Sequence, residues 1–139
     1  MYPFPTKFPV VAASDGAGEV AAVGSKVTKW KHGDKVVTLF NQGHQYGAID
    51  IAASRTGLGG VIDGTLRQYA VFNENGLVRS PTSLSYLEAG TLSCAALTSW
   101  NALYGLKQLK PGETVLVQGT GGVSVFALQV RLSSPEKGY

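Results

Sequence analysis

Thr114-Val115-Leu116-Val117-Gln118 runs directly into Gly119-Thr120-Gly121-Gly122-Val123-Ser124, and then into Val125-Phe126-Ala127-Leu128-Gln129-Val130. The first five residues form an apolar, β-branched run, which predicts a buried strand. In the last part Val123, Phe126, Ala127 and Val130 recur at helical spacing, which predicts a helix. Strand, glycine turn, helix is the order a dinucleotide site needs. Glycines let the backbone turn sharply and approach a pyrophosphate, while the unpaired NH groups and dipole of the helix attract its charge. Gly119 and Gly121 fit the first two glycine positions of that motif, and Ser124 holds the third. As a bare pattern, an ordinary turn before a helix reads the same residues.

Upstream of this stretch, Lys110-Pro111-Gly112-Glu113 places Pro and Gly at the two central positions of a type II turn. Before it, Leu97, Trp100 and either Leu103 or Tyr104 stand at three-to-four spacing, with Gly105 suited to end a helix whose apolar stripe is expected in the core. Ser85-Tyr86-Leu87-Glu88 fits a capping box, in which hydroxyl and carboxylate satisfy opposite backbone donors at a helix start. The part before Pro81 is β-prone. Residues 18–23 and 35–40 read as neighbouring antiparallel strands, joined through Gly24-Ser25 and the His32-Gly33-Asp34 turn. Residues 66–72 and 76–79 read as two more. Between these pairs, residues 41–64 are glycine-rich and patternless, and longer than a compact domain usually leaves unstructured. Pro3, Pro5 and Pro9 make the first ten residues an extended lead-in or edge.

The length of 139 residues allows one domain with a real core but not two full domains. Hydrophobic residues are 44% and charged residues 15%, which excludes a generically disordered chain. The 18 glycines, about 13% against a usual ~7%, favour tight turns and short strands over a coiled coil. No run approaches the ~18 apolar residues that span a bilayer, and Met1-Tyr2-Pro3-Phe4-Pro5 has neither a basic start nor an apolar run. A soluble, cytoplasmic protein without a membrane partner is expected. The single cysteine, Cys94, excludes an intrachain disulfide and a multi-cysteine zinc site. Net charge is +3, and Lys26, Lys29, Lys31 and Lys35 share one window. Without aromatic interleaving that window reads as a solvated hairpin end, and no nucleic-acid partner is expected.

Four motifs together carry a resemblance: Ser14-Asp15-Gly16-Ala17-Gly18-Glu19-Val20-Ala21-Ala22-Val23-Gly24, then Gly33-Asp34-Lys35-Val36, then Leu92-Ser93-Cys94-Ala95-Ala96-Leu97-Thr98-Ser99-Trp100-Asn101-Ala102-Leu103, and the turn from Val117 to Ser124. In this order they resemble the medium-chain dehydrogenase/reductase superfamily, in its zinc-independent quinone-oxidoreductase and alcohol-dehydrogenase-like branch. The resemblance implies a GroES-like β-barrel that binds substrate and a Rossmann domain that binds NAD(P), with hydride passing between them. It implies that Thr98 sits near the nicotinamide and that Gly119, Gly121, Gly122 and Val123 approach the pyrophosphate. Zinc-dependent members place a His where Ser14 stands, with Asp15 in the acidic slot. Cys94 matches a third zinc ligand there, but one thiolate cannot hold a four-coordinate ion. No zinc is therefore expected. Cys94 reads as a small buried core residue, and His32 and His44 as surface histidines.

The sequence departs from that family at both ends. The family's barrel begins well before Ser14, so part of it is expected to be missing. The match stops near Val130, and residues 131–139 read as a polar tail broken by Pro135. The acid that would select the ribose falls ~20 residues past the glycines, at or beyond the last residue, and Glu136 stands too close to fill that role. The expected fold is α+β, a partial GroES-like barrel followed by the first strand and helix of a Rossmann unit. The expected parts are residues 1–81 as the partial substrate domain, 82–110 as connecting helices and 111–139 as a truncated start of the nucleotide-binding domain. The function this implies is NAD(P)-linked hydride transfer to a quinone, enone or carbonyl substrate, with weak or absent cofactor binding in this chain. Thr98 and Asp15 are the candidate polar contacts near a substrate, and Asp15 equally suits capping the turn before Gly16. The rival readings are a non-catalytic remnant or interaction module, or a secondary-metabolism enzyme that uses the cleft without nicotinamide. The run from Thr114 to Gln118, lacking a second Rossmann strand, is also a candidate surface for a homo-oligomer or a partner chain.

Overall fold

The computed structural model describes residues 6–133. These residues form two compact units, one ending at Ser93 and one beginning at Cys94.

The first unit is organised by a three-stranded antiparallel sheet, with β1 (Ala17–Glu19), β2 (Lys35–Thr38) and β3 (Leu77–Arg79) in that spatial order. Ala17 faces Val37 and Glu19 faces Lys35, while Val37 faces Val78 on the other side. The central strand carries the core, with Val36, Val37 and Thr38 buried. The expected pairing of the first two strands is therefore present, with both strands shorter than their β-prone runs. The turn between them is closed by Asp34, whose carboxylate accepts from the backbone N–H of Lys31, and by Gly33 at φ 86°. The lysine window is pinned from outside. Glu74 Oε2 accepts from the backbone N–H groups of Thr28 (3.0 Å) and Lys29 (3.1 Å), and the Trp30 indole donates to the Glu74 carbonyl.

Residues 66–72 do not form the expected strand. Leu66, Tyr69 and Val71 are exposed at 75%, 79% and 96%, and no described strand pairs with this segment. β-propensity needs a neighbouring ladder to become structure, and no such neighbour lies among the described residues. The glycine-rich stretch before it is ordered by local devices. Asp50 caps the short helix α1 (Ile51–Ser54) by accepting from Ala53 N–H, and isolated bridges join Asn41 to Gly57 and Leu58 to Ile62. At α2 (Tyr86–Gly90) the capping box is present in both directions, with Ser85 Oγ accepting from Glu88 N–H and Glu88 Oε2 from Ser85 N–H.

A π-helical turn, Leu92–Ala96, leads into the helix α3 (Leu97–Tyr104). In that turn Ser93 is buried and Cys94 is exposed, which corrects the expectation of a core cysteine. Neighbouring positions on a helix point in different directions, and Ser93 takes the inward one. The apolar stripe of α3 also needs correction. Ser99 and Leu103 are buried, four residues apart, whereas Leu97 and Trp100 are 58% and 57% exposed. Trp100 instead packs on Tyr104, one turn along, with ring centroids 4.8 Å apart. Gly105 caps the helix as expected.

The type II turn at residues 110–113 forms with Gly112 at φ 83° and Glu113 N–H donating to the Lys110 carbonyl. Residues 114–118 pair with no described strand, and Leu116 is 84% exposed. The expected buried strand is thus an open run, because nothing described lies at its edges to complete a ladder. The helix α4 (Gly122–Ser133) follows and packs on α3, burying Ala127. It extends three residues past Val130, so residues 131–133 are helical rather than tail. Pro3, Pro5, Pro135 and Glu136 lie outside the described residues. Among the described residues no helix is long and apolar enough to cross a membrane.

Candidate functional site

In the first unit the motif loop from Ala12 to Gly16 is held carbonyl by carbonyl. The Ala12 oxygen accepts from Leu66 N–H and the Ala13 oxygen from Thr65 N–H. Thr65 Oγ1 donates to the Asp15 carbonyl at 2.7 Å, and Thr38 N–H donates to that of Gly16. Thr38 Oγ1 lies 3.3 Å from both the Ser14 and Gly16 oxygens. Such saturation fixes the loop, because each carbonyl released would lose its partner in a partly buried setting. The Asp15 carboxylate accepts from Ser14 Oγ at 2.8 Å, so the two side chains satisfy each other. Ser14 also lines a shallow depression of about 350 Å³ with Thr6, Ala13, Leu58, Gly59 and Gly60. A larger open groove of about 840 Å³ lies in the same unit, between Val20, Trp30, Val36, Phe72 and Leu77.

The loop conformation depends on close approach. Ala13 has φ 70°, the left-handed region, and an ideal Cβ on Gly59 would stand 2.7 Å from its carbonyl oxygen. Gly64 comes closer still, since an ideal Cβ there would overlap the same oxygen. Thr38 and Thr65 were not singled out by the sequence. No spacing rule joins them to Ser14 and Asp15, because the connection runs through the sheet and through the return of the chain at residue 64.

In the second unit Gly119, Gly121, Gly122 and Val123 come together at the N-terminus of the twelve-residue α4. Gly119 is at φ 81°, and at both Gly119 and Gly121 a Cβ would meet nothing within 4 Å. The backbone of the turn is thus open to an approaching group. Ser124, in the third glycine position, donates from Oγ to the Gln118 carbonyl at 2.9 Å and closes the turn. The base of the turn is held by α3. Ser99 is fully buried, and its hydroxyl lies 2.5 Å from the Val123 carbonyl oxygen and 3.0 Å from that of Ala95. Gly122 lets Ala95 approach, as a Cβ on it would meet the Ala95 methyl at 3.0 Å. Sequence reading overlooked Ser99, a small polar residue between the candidate Thr98 and Trp100. Thr98 itself is exposed in the first turn of α3. Asp15 belongs to the first unit, so the two candidate polar contacts arise in different parts of the chain.

Two carboxylates, Glu113 and Glu74, are tuned by local donors. The Lys110 backbone N–H, then the Lys107 ammonium, hold the Glu113 carboxyl below its usual range. At Glu74 the cause is the N–H of Thr28, then that of Lys29.

These residues fit one part of a dinucleotide. The open glycines and the free amides at the start of α4 suit a pyrophosphate. Zinc fits less well. Ser14 turns its hydroxyl to Asp15, Cys94 is an exposed single thiol, and no group of three His, Cys, Asp or Glu side chains converges among the described residues.

The family model for the alcohol dehydrogenase GroES-like domain matches residues 2–82. A zinc-type alcohol dehydrogenase-like protein of Schizosaccharomyces pombe is 47% identical over 136 residues, covering 96% of this chain and 39% of that protein. A chloroplastic quinone-oxidoreductase homolog of Spinacia oleracea is 35% identical over 91% of this chain and 35% of its own length. The crystal structure of an alcohol dehydrogenase from Sinorhizobium meliloti superimposes with a TM-score of 0.82 at 41% identity, covering 95% of this chain and 40% of that one. The chain therefore spans between a third and two fifths of the length of these relatives. The matched domain, the sequence relatives and the superimposed structure agree, and the chain belongs to the alcohol dehydrogenase GroES-like family of medium-chain dehydrogenases/reductases.

Proposed function

We propose that the chain carries a substrate-binding portion and the pyrophosphate-binding turn of an NAD(P)-linked oxidoreductase acting on a quinone, enone or carbonyl. The observation that carries this reading is the open turn at Gly119 and Gly121, which leads into α4 and is buttressed by Ser99. When bound, a nicotinamide cofactor supplies the hydride. The chain's own part is to bind and orient. Amides of Gly121, Gly122 and Val123 would take the pyrophosphate charge, and Thr98 would offer a hydroxyl near the nicotinamide. Ser14 and the Asp15 carboxylate would form the polar floor of a substrate contact. Zinc has no role in this reading.

A second reading, an interaction module without catalysis, is favoured by the open run at residues 114–118. Calorimetric titration of the purified chain with NADPH and NADH separates the two. Weak, saturable binding that Gly122→Val abolishes supports the oxidoreductase reading. Complete absence of binding at millimolar cofactor would favour the module.

A further inference from the structure

We propose that Ser124 is a positioning residue of the glycine turn, whose hydroxyl staples the two ends of the turn together and leaves its amides uncapped for an anion. The proposal rests on the pyrophosphate reading of that turn. Ser124 holds the third glycine position of the dinucleotide motif, where glycine ordinarily serves close packing of helix on strand. Here its Oγ donates to the Gln118 carbonyl at 2.9 Å, six residues upstream. One bond therefore spans the whole turn, from Gly119 to Val123.

The turn has little else to order it. Gly119, Gly121 and Gly122 are glycines, the residues that lose most backbone freedom when they are fixed. Gly119 sits at φ 81°, and a Cβ on Gly119 or Gly121 would meet nothing within 4 Å, so neither position is held by packing. Without a bond across its ends, the turn would lose that freedom only when it binds, and binding would weaken. With the staple, the ordering is complete on folding. Ser99 reaches the α4 side of the turn, at the Val123 carbonyl, and the Gln118 side is left to Ser124.

The direction of the hydroxyl matters as much. The Gly121 carbonyl accepts from Val125 N–H at 3.0 Å, so Gly121 stands at the N-cap of α4 and has no side chain to offer the amides that follow. The first turn of that helix, residues 122–125, carries one polar side chain, that of Ser124. A serine in this place can turn its oxygen to nearby amides and satisfy them. It is turned to Gln118 instead, and the amides of Gly121, Gly122 and Val123 have no acceptor among the described residues. Donors left in this state suit the oxygens of a phosphate.

Three variants of the 139-residue chain test the role. Ser124→Gly completes the glycine motif but removes the staple, Ser124→Ala removes the hydroxyl without adding backbone freedom, and Ser124→Thr keeps it. NADPH is titrated into each and into the wild type, followed by the amide shifts of Gly121 and Gly122. Order parameters of the same amides are measured in the free chains. Kd should rise about fivefold in Ser124→Ala, the worth of one hydrogen bond, and at least as much in Ser124→Gly. Both should lower the order parameters, and Ser124→Thr should restore affinity and order together. The glycine variant is the decisive one, because the motif taken alone predicts that it binds better. Binding of NADPH by Ser124→Gly as tight as by the wild type overturns the role of Ser124 and leaves the pyrophosphate reading standing. So do order parameters that Ser124→Ala leaves unchanged, or a threonine that restores nothing. A wild type without shifts at these amides at millimolar NADPH overturns the pyrophosphate reading and this proposal with it.

Discussion

Gly64 and Ala13 are in backbone contact so close that a methyl group on the glycine would occupy the place of the Ala13 carbonyl oxygen. Gly64 N–H donates to the Val11 carbonyl at 2.7 Å, so the chain returning at residue 64 is clamped directly onto the motif loop. Gly64→Ala must therefore push the two segments apart and release the hydrogen bonds that Thr65 and Leu66 make to Ala13 and Ala12. A loss of more than about 3 kcal/mol is expected, measured as a fall in the urea midpoint. A variant as stable as the wild type would show that the contact is not required.

Ala13 itself occupies the left-handed region, at φ 70°. A residue with a Cβ costs about 1–2 kcal/mol there, partly offset by the greater unfolded-state entropy of glycine. Ala13→Gly should stabilise the chain by up to about 1 kcal/mol, raising the urea midpoint without changing the slope. A lower midpoint would contradict the strain assigned to this residue.

The capping box at Ser85 and Glu88 was legible because capping is local, decided by residues three apart. The type II turn at residues 110–113 was legible for the same reason. What could not be read was which face of a helix, or which edge of a β-prone run, a neighbour covers. Leu97 and Trp100 have the spacing of a core stripe, but the face of α3 that is buried is the one bearing Ser99 and Leu103. Residues 66–72 and 114–118 have strand composition, and composition is silent on whether an adjacent edge exists. Cys94 looked like a core residue by type, and Ser93 took the inward place. In the candidate site the glycines at 119, 121 and 122 were visible as a pattern. The supports at Thr38, Thr65 and Ser99 were not, since a hydroxyl that holds a distant carbonyl leaves no trace in spacing.

The Glu74 carboxylate sits below its usual range because the amides of Thr28 and Lys29 donate to it. A carboxyl whose pKa is depressed on folding contributes stability that is fully present above its unfolded value, near pH 4.3. That contribution is lost as pH falls through the lower folded value. Stability of the wild type should thus decline on the acid side of about pH 4, and Glu74→Gln should flatten that decline while lowering stability at neutral pH. Urea midpoints at a series of pH values provide the check. An unchanged acid slope in the variant would remove Glu74 from the account.

Ser99 ties α3 to the first turn of α4 through the Val123 carbonyl. Ser99→Ala should cost about 1 kcal/mol and should speed amide exchange at the start of α4 more than in α2. Equal protection in wild type and variant would show that the glycine turn is held without the hydroxyl.

The central claim is that the turn at Gly119 to Val123 is a pyrophosphate site, and amide chemical shifts under NADPH titration test it most directly. The account predicts weak, saturable shifts concentrated at Gly119, Gly121, Gly122 and Val123. It also predicts their loss in Gly121→Val, whose Cβ meets nothing within 4 Å in the free chain and whose side chain would fill the space the ligand needs. Shifts absent from those four amides at millimolar NADPH, or shifts there that Gly121→Val leaves intact, would contradict it.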